Sequence, residues 1–243
     1  MDETLSAGAA PAPPGERDDP RSAVICRIER LPFSRFHMRL ASILAVGTFF
    51  DAFDALSIAV ALTVIFTSLH IGFMNAGLLI SGAYVGQFIG AWFFGYVSEI
   101  RGRRIAFITS LLLFGLLSIA TAFAWDFQSL FVLRLIQGLG LGGEVPVAAT
   151  LFNEYLRTAN RGRIALFYQS IFIWGALLTP GVGLLFFTIF GEALGWRVLF
   201  LFGGVPVLAA IYAWFRLPES ARWLAEHGRL READAIVAGI EAT

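Results

Sequence analysis

Two carboxylates, Asp51 and Asp54, stand in the middle of a long apolar run. Three residues apart, they lie about 60° from one another around a helix and share a face. An aspartate at the centre of a membrane helix costs about 3 kcal/mol on insertion scales. Such a residue is retained where it faces a water-filled cavity, a cation or another carboxylate, and close carboxylates hold a proton between them, which suits a proton relay. The alternative is a carboxylate hydrogen-bonded to a neighbouring helix. Arg134, further along, is either a buried cation or a side chain snorkelling to the headgroups past Trp125. Glu144, about ten residues deeper on the same helix, is placed to receive protons, to pair with an arginine, or to sit against backbone amides freed by Pro146. Tyr84, Gln87, Gln137, Tyr168, Gln169 and Trp174 are polar or aromatic residues inside apolar runs. They are candidates either to line a cavity or to hydrogen-bond between helices.

The elements that must position these groups follow from composition. The chain has 243 residues, 57% of them hydrophobic and 15% charged, against about 25% charged in soluble domains. Mean hydropathy is +0.73. A bilayer accommodates such a chain, and the reading is an all-α membrane protein. Six apolar spans run roughly over Leu40–Ser68, Asn75–Val97, Ile105–Ala124, Ser129–Thr150, Ile164–Phe190 and Val198–Phe215. They are continuously apolar, without the alternation of a barrel strand. Arginine crowds before the first span, at Arg101, Arg103 and Arg104, at Arg157, Arg161 and Arg163, and after the sixth span, whereas the intervening loops carry none. Six transmembrane helices with both termini cytoplasmic satisfy that alternation. Trp125 and Trp196 are expected as anchors at the outer boundary.

The chain divides into a disordered cytoplasmic tail with an amphipathic, interfacial lead-in (residues 1–38), a half-bundle (39–217) and the start of a cytoplasmic linker helix (218–243). Gly82, Gly86 and Gly90 are spaced by four on the second span, and Gly138, Gly140, Gly142 and Gly143 crowd the fourth. Such spacing serves close helix packing or helices that bend and slide. All 18 basic residues are arginine, the formal net charge is zero, and Cys26 is the single cysteine. No disulfide or metal-ligand spacing follows from that, and no cleavable signal peptide is legible. His37, His70 and His227 are isolated and near loops. No Ser/His/Asp set or phosphate-binding loop points to catalysis, and basic residues that track membrane topology argue against nucleic acid.

Four motifs resemble the major facilitator superfamily of secondary transporters. Gly95-Tyr-Val-Ser-Glu99-Ile100-Arg101-Gly102-Arg103-Arg104 is similar to its signature loop between helices two and three, with Glu99 for the usual Asp and Ile100 for the usual Arg. Arg134-Leu-Ile-Gln137-Gly138-Leu-Gly140-Leu-Gly142 resembles its Arg-x-x-x-Gly-x-Gly-x-Gly motif. Pro218-Glu219-Ser220-Ala221-Arg222-Trp223-Leu224 is similar to the Pro-Glu-Ser-Pro-Arg-Trp-Leu of the sugar-porter-like branch, and Asn153-Glu154 with Arg161-Gly162-Arg163 resembles that branch's loop between helices four and five. Asp51-Ala52-Phe53-Asp54 is similar to the Asp-Gly-Phe-Asp of aromatic-acid/proton symporters, with Ala52 for the Gly.

The resemblance implies an amino-terminal six-helix half of a twelve-helix transporter, the carboxy-terminal six-helix half missing through truncation, the favoured reading, or through a split gene, or replaced by assembly of two copies. It implies alternating access between halves. The function it points to is proton-coupled symport of a small organic solute, energised by the proton gradient and without a cofactor. Efflux by the same fold, or a non-transporting membrane scaffold, are the alternatives. It also favours a buried Arg134. The charged ends, Gly95, Glu99, Arg101, Gly102, Arg103, Arg104, Glu154, Arg161, Arg163, Glu219 and Arg222, are expected to form a cytoplasmic gate of ion pairs, or only to set topology. The partners expected are the lipid bilayer, the solute and the missing half, and the location a bacterial inner membrane.

Overall fold

The computed structural model describes residues 20–69, 72–157 and 161–241, apart from the side chains of Pro20, Phe73 and Arg161. The tail expected over the first residues lies outside these, as does His70. The described residues form α-helices: α1 (Pro20–Arg30), α2 (Arg35–Leu69), α3 (Phe73–Arg101), α4 (Arg103–Thr121), α5 (Phe127–Tyr155), α6 (Arg161–Phe202), α7 (Pro206–Arg216), α8 (Ala221–Glu226) and α9 (Leu230–Glu241).

Five segments are long and apolar enough to cross a membrane, the last a 55-residue stretch over Gly162–Arg216. The six spans read from sequence therefore appear as five, because the expected fifth and sixth run together. The chain nevertheless folds back inside that stretch. Gly191 takes φ 73°, ψ 166°, a conformation outside the helix that only glycine adopts freely. The rings of Phe186 and Phe202 are 5.9 Å apart, whereas sixteen residues of straight helix span about 24 Å. The returning arm begins before Val198 and is interrupted between α6 and α7 at Gly203–Val205. There Ser118 of α4 donates to the Phe200 carbonyl at 2.9 Å.

Packing divides the bundle into pairs. α3 lies chiefly on α5, α2 chiefly on α6, and α4 on α5, while α2 touches α5 more lightly. The glycine pattern explains the first pair. A Cβ on Gly86 would lie 2.1 Å from the Leu135 carbonyl oxygen, and one on Gly142 would lie 1.9 Å from that of Gln87. Backbones in contact gain dispersion and weak hydrogen bonds, which replace the hydrophobic drive that lipid removes. Many large apolar side chains point outward, Phe88, Trp92 and Phe215 among them, as a lipid-facing or partner-facing surface requires. Trp125 is exposed beside Asp126, which caps α5 by accepting from the Ser129 amide at 2.8 Å. Trp196 is not the expected anchor: it is wholly buried against Phe200.

The lead-in also differs from expectation. α1 does not stand alone as an amphipathic ribbon; Val24, Ile28 and Leu31 are buried, and α1 packs on α9 and α8. The linker is two short helices, broken at Gly228, which takes φ 76°.

Candidate functional site

Asp54 and Arg134 meet in the middle of the bundle. Asp54, on α2, is 1% exposed, and Arg134, on α5, is 2% exposed. Arg134 Nη1 donates to Asp54 Oδ2 at 2.8 Å and to Gln137 Oε1 at 3.0 Å. Gln137 Nε2 donates to Asp54 Oδ1 at 2.8 Å, closing a triangle. Arg134 and Gln137 are one turn apart on α5 and so face α2 together. The guanidinium carbon also lies 5.5 Å from the centre of the Phe200 ring. Arg134 therefore does not snorkel. A buried ion pair persists only when the desolvation of both charges is offset by good geometry and further hydrogen bonds, and here Gln137 supplies those bonds. Arg134 Nε remains without an acceptor.

Beside the pair is a cavity of about 30 Å³ lined by Asp54, Arg134, Tyr84, Gln87 and Leu141, room for a water or two. Of the residues expected to line a cavity, Tyr84 and Gln87 do so, and Gln137 holds the carboxylate. Tyr168 is buried elsewhere, its hydroxyl 2.5 Å from that of Thr48 on α2. Gln169 and Trp174 are exposed on α6. Asp51 is buried one turn before Asp54 and makes no hydrogen bond or ion pair among the described residues. Glu144 is fully buried and pairs with no arginine among the described residues.

The arginine-rich end is a network. The chain turns between α3 and α4 at Gly102, φ 102°, where a Cβ would strike the Glu219 carboxylate at 2.2 Å. Glu219 Oε1 accepts the backbone amides of Arg104 and Ser220, each at 3.0 Å. It thus caps α4, and it joins no ion pair among the described residues. Arg103 pairs with Glu99 at 2.8 Å and Glu154 at 3.1 Å, and donates to Ser98 at 3.2 Å. Arg104 donates to the Trp214 carbonyl. Arg222 donates to the Glu154 carbonyl at 2.9 Å and pairs with Glu29 of α1 at 2.5 Å.

Arg101 and Arg163 are exposed and make no ion pair among the described residues, and the Arg161 side chain lies outside them. A Cβ on Gly95 would meet nothing among the described residues, and its carbonyl accepts from Ser98 at 2.8 Å. Sequence reasoning missed Glu29, Ser98 and Tyr155, whose hydroxyl donates to the Glu219 carbonyl at 2.6 Å. It also left His37 isolated, yet His37 is buried between Ser34 and the Tyr155 carbonyl. None of these carries a signal beyond its position near a basic loop.

Residues 41–243 match the model of a family described as sugar (and other) transporter. The chain belongs to this family. It is thus a major facilitator protein, an integral multi-pass membrane protein and a relative of transporters rather than of enzymes. The niacin transporter NiaP of Acinetobacter baylyi is 35% identical over 218 residues, which cover 90% of this chain and 49% of the relative. The 4-hydroxybenzoate transporter PcaK of Pseudomonas aeruginosa is 32% identical, over 83% of this chain and 44% of the relative. Among solved structures, the xylose transporter XylE from E. coli, partially occluded and inward open, superposes with a TM-score of 0.77 at 21% identity. That match covers 85% of this chain and 55% of the other, a likeness of fold. The chain spans about half the length of the curated relatives it matches.

Proposed function

We propose that this sugar-transporter-family chain forms the amino-terminal six-helix half of a proton-coupled symporter for a small organic anion, working with a second half of similar length. In this reading the two arms around Gly191 both cross a bacterial inner membrane, and both termini, with the arginine-rich network, face the cytoplasm. The positive-inside pattern of the loops supports that orientation. The solute class is a carboxylated aromatic metabolite, by analogy with the niacin and 4-hydroxybenzoate relatives.

The observation that carries the reading is the triangle of Asp54, Arg134 and Gln137. With Asp54 ionised, Arg134 is neutralised and has little attraction for an anion. A proton on Asp54 removes the acceptor charge and releases guanidinium N–H groups. An anionic solute then completes the pairing from the cavity beside Tyr84 and Gln87. Proton and anion thus bind together or not at all, which is symport. Opening and closing belong to rocking of one half against the other.

The test is uptake of labelled nicotinate or 4-hydroxybenzoate into vesicles. The chain alone is expected to give none. Co-produced with the second half of NiaP, it is expected to give uptake driven by an inward proton gradient. Asp54→Asn should then leave uptake indifferent to external pH. An unchanged pH response in that variant removes Asp54 from the coupling step.

A further inference from the structure

Glu144, like Asp51, is a buried acid that the scheme above does not use. Both its carboxylate oxygens are sealed from solvent and lack a hydrogen-bond partner among the described residues. The side chain lies against α2 at Gly47, where a Cβ would stand 2.2 Å from Oε1 and 2.8 Å from Cδ. Only the missing side chain of Gly47 lets the carboxyl fit.

The charged and titratable groups around it are few. Asp51 of α2 lies within electrostatic reach. So does Tyr168 of α6, whose hydroxyl already meets Thr48 and, at 3.3 Å, the Leu44 carbonyl. On α3 the neighbour is apolar: Phe94 covers the adjoining Gly143. On its own helix the cation is Arg134, about 15 Å away along the axis and bonded to Asp54. The charged neighbour is therefore another acid, and nothing nearby neutralises an ionised Glu144.

An isolated ionised carboxylate is among the costliest groups to bury, and such groups shed their charge instead. A metal ion or an organic cation needs volume and further ligands. A proton needs neither. We propose that Glu144 is an occluded proton-binding site, closed by Gly47 and separate from the Asp54–Arg134 pair. Gly47, Asp51 and Asp54 are spaced by four and three and form one stripe on α2. Along α5, Glu144 and the pair Arg134–Gln137 face that stripe in the opposite order. A proton leaving Glu144 meets Asp51 first and Asp54 next. It leaves only when α2 lifts from α5, so its exchange reports that motion. Its use in transport rests on the proton-coupled reading above.

The experiment is infrared absorption of the purified chain in lipid nanodiscs, across a pH series, with and without glutamate labelled with carbon-13 at the carboxyl carbon. The expected result is a protonated-carboxyl band at neutral pH that moves on labelling. It should vanish in Glu144→Gln and persist in Asp54→Asn. Gly47→Ala, which displaces the carboxyl, should shift the band's frequency or abolish it. The labelling arm needs no substitution, so a variant that folds poorly does not decide the matter. Absence of the label-sensitive band in the wild type, or its persistence in Glu144→Gln, overturns the site. The uptake assay with Asp54→Asn decides coupling separately. A band without proton-driven uptake would keep the site and discard the symport reading.

Discussion

The ion pairs at the centre of the bundle and those at its arginine-rich end differ in how much water they see and in how many partners each charge has. In the central pair the Asp54 and Arg134 side chains are 1% and 3% exposed, and each charge has one opposite. At the basic end Arg103 is nearly as buried, but its partners Glu99 and Glu154 are 65% and 17% exposed, and Ser98 adds a third contact. Exposed pairs are worth little singly, whereas removing one member of a buried pair strands a charge. The centre is therefore a single buried pair that is either made or broken, and the basic end is a fastening that weakens by degrees.

Arg134→Ala should break this contrast most sharply. It strips Asp54 of its counter-charge and leaves it only the Gln137 amide, at a cost of about 3–5 kcal/mol, read as a large fall in the unfolding temperature in detergent. The double variant Asp54→Asn/Arg134→Gln should recover most of that loss. Equal melting of Arg134→Ala and the wild type would mean that the pair is not formed. Next in size is Gly142→Leu, which puts a side chain where a Cβ already lies 1.9 Å from the Gln87 carbonyl oxygen. Overpacking of about 1–3 kcal/mol is expected, with a lower cross-linking yield between cysteines placed on α3 and α5.

Glu154→Gln at the basic end should cost about 1 kcal/mol, and Glu99→Gln less than about 0.5 kcal/mol, because Glu99 is largely solvated. If both cost as much as Arg134→Ala, the distinction between the two regions fails. The smallest effect concerns α1. Arg27 pairs with Glu241 at 2.6 Å and with Asp234, and its hydrogen bond to Glu241 holds that carboxyl below the usual range. A carboxylate so depressed contributes docking above its unfolded value and loses it as pH falls through the folded one. A spin label on Cys26, the single and exposed cysteine, should gain mobility on acidification, in high salt and in Glu241→Gln.

Much of the architecture was legible because lipid imposes long apolar runs and a charge rule on loops. The pairing of Asp54 with Arg134 was only half legible. Each residue was conspicuous as a charge in an apolar run, but which helix faces which is set by packing. The glycines of α3 and α5 encode the seam between those two helices, not the facing of α2 and α5. The break at Gly191 falls where the sequence reading ends the fifth span, at Phe190, and one glycine outside the helical region turns the chain there. Trp196 misled because it stands at the boundary of a span, where an aromatic anchor is expected, yet the indole lies inside while Arg197 beside it donates to the Ala122 carbonyl at 2.6 Å. Gln169 and Trp174 lie exposed on α6, and exposure by itself does not separate a cavity face from a lipid face.

The backbone-to-backbone seams of α3 with α5 and of α2 with α6 leave these helices little room to slip within each pair. What joins the two planks is a lighter contact, with Asp54 reaching over to Arg134 and Gln137 as its clasp. With that clasp removed, chiefly the lighter α2–α5 contact would hold plank to plank, so this seam, and not either glycine-lined one, is where the bundle would loosen first.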